Sequence, residues 1–153
     1  MTQTMKRPSP SSLPTTATKT LTDPETELLV STFSDRIQIL ISQRGGKVGT
    51  MLSCSHEFSQ IDNSHTYHVE TLLGDRNKNG ALYAVYARQI MERLVNLGGG
   101  SGGGVSADGV IGCPPLFLGI TMDGEKSSPE EFKLIVDETL ALYQTAIRAV
   151  GAK

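Results

Sequence analysis

ELLVSTFSDRIQILISQRGGKVGTMLSC, residues 27–54, decides the fold because it holds three strand-forming runs broken by two short polar stretches. ELLVSTF (27–33) and RIQILISQ (36–43) flank Ser34-Asp35, a break short enough for a tight hairpin. In the second run Ile37, Ile39 and Ile41 share one face, while Arg36, Gln38 and Leu40 take the other. That period of two marks a half-buried strand. Arg44-Gly45-Gly46-Lys47 follows, with two glycines able to adopt positive φ in a turn, and KVGTMLSC (47–54) returns as a third strand. Two consecutive hairpins predict an antiparallel meander.

Working outward, SHEFSQIDNSH (55–65) is polar and reads as a loop, and TYHVETLL (66–73) as the next strand, ending at Gly74. ALYAVYARQIMERLVNL then repeats Leu82, Val85, Tyr86, Ile90, Leu94 and Leu97 at helical spacing, a single apolar stripe. Tyr83 and Tyr86, close on that helix, suit either core packing or interface anchoring. CPPLFLGITMD (113–123) holds a strand that starts after the prolines, which cannot donate to a ladder. The last helix is the best marked. Ser128-Pro129-Glu130-Glu131 supplies a capping serine, a proline at the first helical position and a glutamate three residues past the cap. Its stripe runs Phe132, Ile135, Val136, Thr139, Leu140, Tyr143, Ala146, Ile147 and Val150, and Gly151 stops it. The expectation is an α+β domain: an antiparallel sheet of about five to six strands, in one or two layers, with two helices packed on it. Residues 25–151 form the domain and 1–24 a disordered tail, of which Leu21 and Thr22 extend into a short edge strand.

The 153 residues support one domain with a real core, built from Leu, Ile, Val and Ala because aromatics are few and Trp is absent. The net charge of −2 is uneven: Lys6, Arg7 and Lys19 give residues 1–22 a charge of +3, leaving −5 on the rest. A mildly acidic body offers no footprint for nucleic acid. No basic amphipathic stretch suits a membrane surface, and no apolar run approaches the ~18 residues of a membrane span. The first 22 residues lack the apolar stretch of a secretory signal; their hydroxyl-rich, acid-free character resembles an organelle transit peptide, but three prolines oppose the helix one would need. Two cysteines, Cys54 and Cys113, are too few for a disulfide framework and fit a reducing compartment, so the expected location is the cytoplasm and the nucleus.

Residues 98–104, GGGSGGG, contain a formal G-x-G-x-x-G from Gly98 to Gly103. A phosphate cradle needs a strand before the glycines and a helix directly after, so that backbone N–H groups and the helix N-terminus converge on the anion. Here a helix precedes and irregular residues follow. Seven small residues in a row also maximise chain entropy, so 98–112 reads as a flexible insertion. Cys54-Ser55-His56 and His65-x-x-His68 gather metal-compatible side chains, yet neither matches paired zinc spacings, and a buried cysteine with surface histidines is the simpler reading. No G-x-S-x-G elbow occurs, Cys113 has no evident electropositive neighbour, and the helix dipole accounts for Glu130 and Glu131. The residues point to no enzyme, no metal and no cofactor.

In order and spacing the chain resembles the proteasome assembly chaperone 3 family. STFSDRIQILISQRGGKVGTML is similar to that family's paired strands with a Gln-x-x-Gly-Lys-x-Gly-Thr turn, here Gln43, Gly46, Lys47, Gly49 and Thr50. TYHVETLLG resembles the strand ending Leu72-Leu73-Gly74, and ALYAVYARQIMERL the first helix, with Ala87 and Arg88 as its small-then-basic pair. The Gly45-Gly46 pair, the GGGSGGGVSADG insertion and the RNKNG turn depart from the pattern. The resemblance implies a non-catalytic chaperone paired with a similar partner, proteasome assembly chaperone 4. It implies that the pair holds proteasome α subunits, notably α5, while the 20S α ring forms, and leaves before maturation. Gly46, Lys47, Gly49, Thr50 and Arg88 are the candidate protein-binding residues, although the glycines equally serve turn geometry. Whether the isolated chain self-associates stays open: an exposed strand edge or apolar helix face left by a missing partner is one route to a homodimer. Two alternatives stay open: a small-molecule or nucleotide-binding enzyme using the glycine segment, and a general scaffold adaptor.

Overall fold

The computed structural model describes residues 15–22, 25–74, 80–99, 114–122 and 128–151. Six strands, β1 (Thr15–Thr22), β2 (Glu25–Thr32), β3 (Ile37–Ser42), β4 (Thr50–Ser59), β5 (Ser64–Leu73) and β6 (Leu116–Thr121), form one sheet in the order β1-β2-β3-β6-β4-β5. Two helices, α1 (Gly80–Gly99) and α2 (Pro129–Gly151), pack on one face of it, α2 over β1 and β2 and α1 over β4, β5 and β6. The α+β expectation of six strands and two helices is met by a single sheet. The glycine insertion from residue 100 to 112 lies outside the described residues.

The alternation read from the sequence sets the buried face. Leu28 and Val30, Ile37, Ile39 and Ile41, Leu52 and Cys54, and Leu116, Leu118 and Ile120 all point toward the helices and are buried. Tyr83, Tyr86, Ala87, Ile90, Met91 and Leu94 meet them from α1, and Ile135, Val136, Leu140, Leu142 and Ala146 from α2. Both tyrosines are core residues: the Tyr86 ring tilts against Phe132 at 4.5 Å, and the Tyr83 hydroxyl accepts a bond from the Met122 N–H at 3.2 Å. The α1 stripe is rotated from the expected one, since Val85 is 54% exposed while Tyr83 and Met91 are buried. A helix wedged between a sheet and a second helix buries a wider arc than a single row, and tyrosine counts weakly as apolar in a periodicity reading.

The α2 cap forms as expected, with the Glu131 N–H donating to Ser128 Oγ at 3.1 Å and the Phe132 N–H to the Ser128 carbonyl at 3.0 Å. Ser128→Ala should cost about 1 kcal/mol of unfolding free energy, read as a lower denaturant midpoint at unchanged m-value.

Three expectations need correction. The meander fails at its second hairpin, because β3 pairs in parallel with β6 and β6 in turn pairs antiparallel with β4. With Leu116, Leu118, Gly119 and Ile120 all buried, β6 is the most apolar strand and takes the sheet centre. The segment 43–49 accommodates it by bridging the end of β6: the Gln43 N–H donates to the Thr121 carbonyl at 2.8 Å and the Gly49 N–H to Thr121 Oγ1 at 2.5 Å. Residues 55–65 are not a loop. The ladder runs on from Ser55↔His68 to Ser59↔Ser64, leaving only Gln60–Asn63 as the turn, with Asn63 at φ 54°. This extension was illegible because most of its side chains are polar or imidazole, leaving no hydrophobic period to read. Finally, residues 15–22 of the expected tail form the whole of β1, beyond the Leu21-Thr22 extension. Only Ala17 and Leu21 reach the core, but β-branched threonines suit an edge strand, and Lys19 ion-pairs with Glu138 of α2. Residues 1–14 and 23–24 lie outside the described residues.

Candidate functional site

The turn between β3 and β4 is built by glycines and by one glutamine. Gly45 and Gly46 sit at φ 62° and 81°, where a side chain is strained. Gln43 Nε2 donates to Thr26 Oγ1 at 3.1 Å and to Glu131 Oε1 at 2.8 Å, tying the turn to β2 and to the first turn of α2. Ser42 Oγ donates to the Lys47 carbonyl at 2.7 Å. Lys47 is exposed, while Thr50 is buried on the helix side. The candidates thus divide: Gly46, Lys47 and Gly49 frame the turn and Thr50 packs inside. Arg88 is exposed on α1, its guanidinium 6.0 Å above the Tyr67 ring on the helix side of the sheet. They do not converge on one site.

What the turn does adjoin is the other face of the sheet. Cross-strand register places Thr18, Leu29, Leu40, Gly119, Met51 and Leu73 in one row from edge to edge, with Phe117 in the next row. At the centre of that row Gly119 has no side chain, and the space is filled from three directions. A Cβ there would lie 2.6 Å from Leu40 Cδ2, 2.8 Å from Val48 Cγ1 and 2.9 Å from Met51 Sδ. Leu40, Val48 and Met51 thereby close over the central strand as one apolar patch. Beside it lies a hollow of about 200 Å³ lined by Thr18, Glu27, Leu29, Leu40, Gly46 and Val48. Leu73 stands 67% exposed at the far end. Among the described residues no helix or strand covers this face. An antiparallel sheet facing water normally alternates apolar inside with polar outside. Here leucine and methionine sit on the outside of four strands, and that doubled apolarity was the signal available in the sequence.

The histidines separate. Cys54 is buried on the helix side, His68 lies on the opposite side with Nε2 3.5 Å from Glu57 Oε2, and His56 Nε2 hydrogen-bonds His65 Nδ1 at 2.8 Å on the helix side. Among the described residues no three His, Cys, Asp or Glu side chains are placed to hold a metal. Cys113 lies outside them. Burial and the adjacent His65 both hold the His56 imidazole below the ordinary value of 6.5, burial being the larger cause. In the turn, the exposed Asp62 carboxylate accepts from Ser64 Oγ at 2.7 Å and from the Ser64 N–H at 3.2 Å, and these bonds, with one from Ser59, lower its pKa.

The sequence model of proteasome assembly chaperone 3 matches residues 39–101. The chain resembles that family, as its motifs imply. The matched span takes in the turn, the β4–β5 hairpin and α1. A relative named proteasome assembly chaperone 3, from Nematostella vectensis, is 28% identical over 127 residues, covering 78% of this chain and 80% of its own. Among solved structures, one titled as a novel chaperone complex for yeast 20S proteasome assembly superposes with a TM-score of 0.50. It covers 90% of this chain and 98% of its own at 15% identity, a likeness of fold.

Proposed function

We propose that this protein is a non-catalytic chaperone of 20S proteasome assembly that works as one half of a pair, docked to a similar small subunit through the open face of its sheet. The observation that carries the reading is the apolar patch of Leu40, Val48 and Met51 closed over Gly119, flanked by Leu29, Phe117 and Leu73. A patch of this kind on a single chain is a binding surface or an aggregation hazard. The two-layer architecture favours binding, because a second sheet laid on the first would complete a sandwich with helices outside on both sides. A proteasome assembly chaperone 4-type subunit is the partner this reading names, and proteasome α subunits, α5 among them, are the cargo. The pair is expected in the cytoplasm and the nucleus, and it leaves before maturation. The described residues offer binding chemistry in shape and apolar area, without a convergent set of nucleophile, base and oxyanion donors.

Native capture of the tagged full-length chain, followed by mass spectrometry, tests the reading. Stoichiometric recovery of one small partner of like fold together with α-type, but not β-type, proteasome subunits is the expected result. Reproducible absence of α subunits would overturn it.

A further inference from the structure

We infer that residues 55–68 form a self-paired arm whose closed state depends on an uncharged His56 imidazole bonded to His65, so that mild acid opens the arm while the rest of the sheet stays paired. The arm is defined by register. β6 pairs with β4 only as far as Cys54, so beyond that point Ser55–Ser59 and Ser64–His68 form a two-stranded ladder with each other. A two-stranded ribbon is marginal in water on its own, and side-chain contacts must hold it. On the helix side those contacts are rings. His56 stacks on His65 with centroids 5.0 Å apart, His56 tilts against Tyr67 at 5.1 Å, and Phe58 against His65 at 4.9 Å.

The hydrogen bond between the imidazoles fixes where protons can go. His56 Nδ1 is buried without a hydrogen-bond partner among the described residues. An orphaned N–H there costs more than an orphaned lone pair, so we assign His56 as the Nε2–H tautomer, donating to a bare His65 Nδ1. His65 then carries its own proton on Nε2. A further proton has two destinations. On His56 it would create a buried N–H with no acceptor; on His65 Nδ1 it would set two N–H groups against each other and break the bond. Either charge is opposed. The same tautomer argues against a metal bridging the pair, because metal on His56 Nε2 would force the proton onto the buried nitrogen.

The surrounding charges do not rescue protonation. From α1, Arg88 stands over the Tyr67 ring at 6.0 Å and adds positive charge on the same side, with Glu92 one helical turn along. The acid nearest in sequence, Glu57, alternates to the other face and lies beside His68, and Asp62 at the tip is engaged by Ser64. The sign follows directly. A closed arm binds fewer protons than an open one, so closure is fully favoured above the ordinary imidazole value and is lost as pH falls below it.

Hydrogen exchange of the full-length chain, corrected for intrinsic rates, reads the arm against the sheet. Between pH 7.5 and pH 5, amide protection at 55–59 and 64–68 should fall by about ten-fold while protection in β3 and β6 is unchanged. His56→Phe, which keeps a ring but cannot titrate, should flatten that dependence. Protection that stays constant, falls equally in β6, or remains as acid-sensitive in His56→Phe would overturn the inference. Should that variant fail to fold, imidazole NMR of the unaltered chain decides the matter. His56 should titrate below the ordinary imidazole value of 6.5, and titration at or above it would overturn the latch.

Discussion

Leu40→Asp should abolish the proposed pairing while leaving the fold intact, weakening binding to the proposed partner subunit by at least about 100-fold in Kd. Leu40 lies at the middle of the outward row, half-buried, between Leu29 on β2 and Gly119 on β6. In the free chain its replacement leaves a carboxylate in contact with water, and the loss of its packing over Gly119 should cost only about 1 kcal/mol of stability. In a docked pair the same carboxylate would be stripped of water with no cation opposite, and a buried unpaired charge is among the most expensive errors an interface can hold. Val85→Asp is the matched control. Val85 is 54% exposed on α1, on the far side of the molecule from the open face, so it should leave the Kd within about two-fold. Titration calorimetry with the recombinant partner measures both. Sedimentation velocity of the isolated chain adds a second readout, since any homodimer formed through this face should also dissociate on Leu40→Asp. Equal binding by the two variants would move the interface away from the sheet.

The contrast between these two residues shows what could be read in advance. Ile37, Ile39 and Ile41 declare a buried face by alternation alone, and they are buried. Leu40 was assigned correctly to the opposite face, but one strand cannot reveal that its outward leucine meets Met51 and Val48. That meeting depends on β6 lying between β3 and β4, and sheet order is set by long-range competition for the centre, which no local pattern encodes. The Ser128 cap was legible because every partner lies within four residues. The β4–β5 arm was not, because its rings cluster only after register is fixed. Arg88 stands out on α1, yet the ring beneath its guanidinium, Tyr67, belongs to β5. Binding surfaces of this kind are assembled from several elements, whereas caps and turns are written within one.

The second large effect is expected at Gly74. Gly74→Ala should cost about 3 kcal/mol or more and lower Tm by about 10 °C. Two costs combine there. The residue sits at φ 107°, outside the left-handed helical well that Asn or Asp can reach, and a Cβ would lie 2.4 Å from the Gly49 carbonyl oxygen and 2.6 Å from Thr50 Cα. Both neighbours are backbone, so neither can rotate away as a flexible side chain would. Relief requires the end of β5 to separate from the start of β4, where the ladder already carries an irregularity between Met51 and Leu52. Because Val48 and Met51 flank that contact, the displacement should reach the open face and weaken partner binding as well. Gly45→Ala isolates the conformational part of the cost. Gly45 has φ 62°, a similar sign of backbone strain, but nothing within 4 Å of its would-be Cβ, so about 1 kcal/mol is expected. Paired denaturant melts of the two variants therefore measure the steric contribution by difference. If Gly74→Ala costs no more than Gly45→Ala, the junction of β4 and β5 is looser than the 2.4 Å approach requires, and the turn is not held against the sheet by that contact.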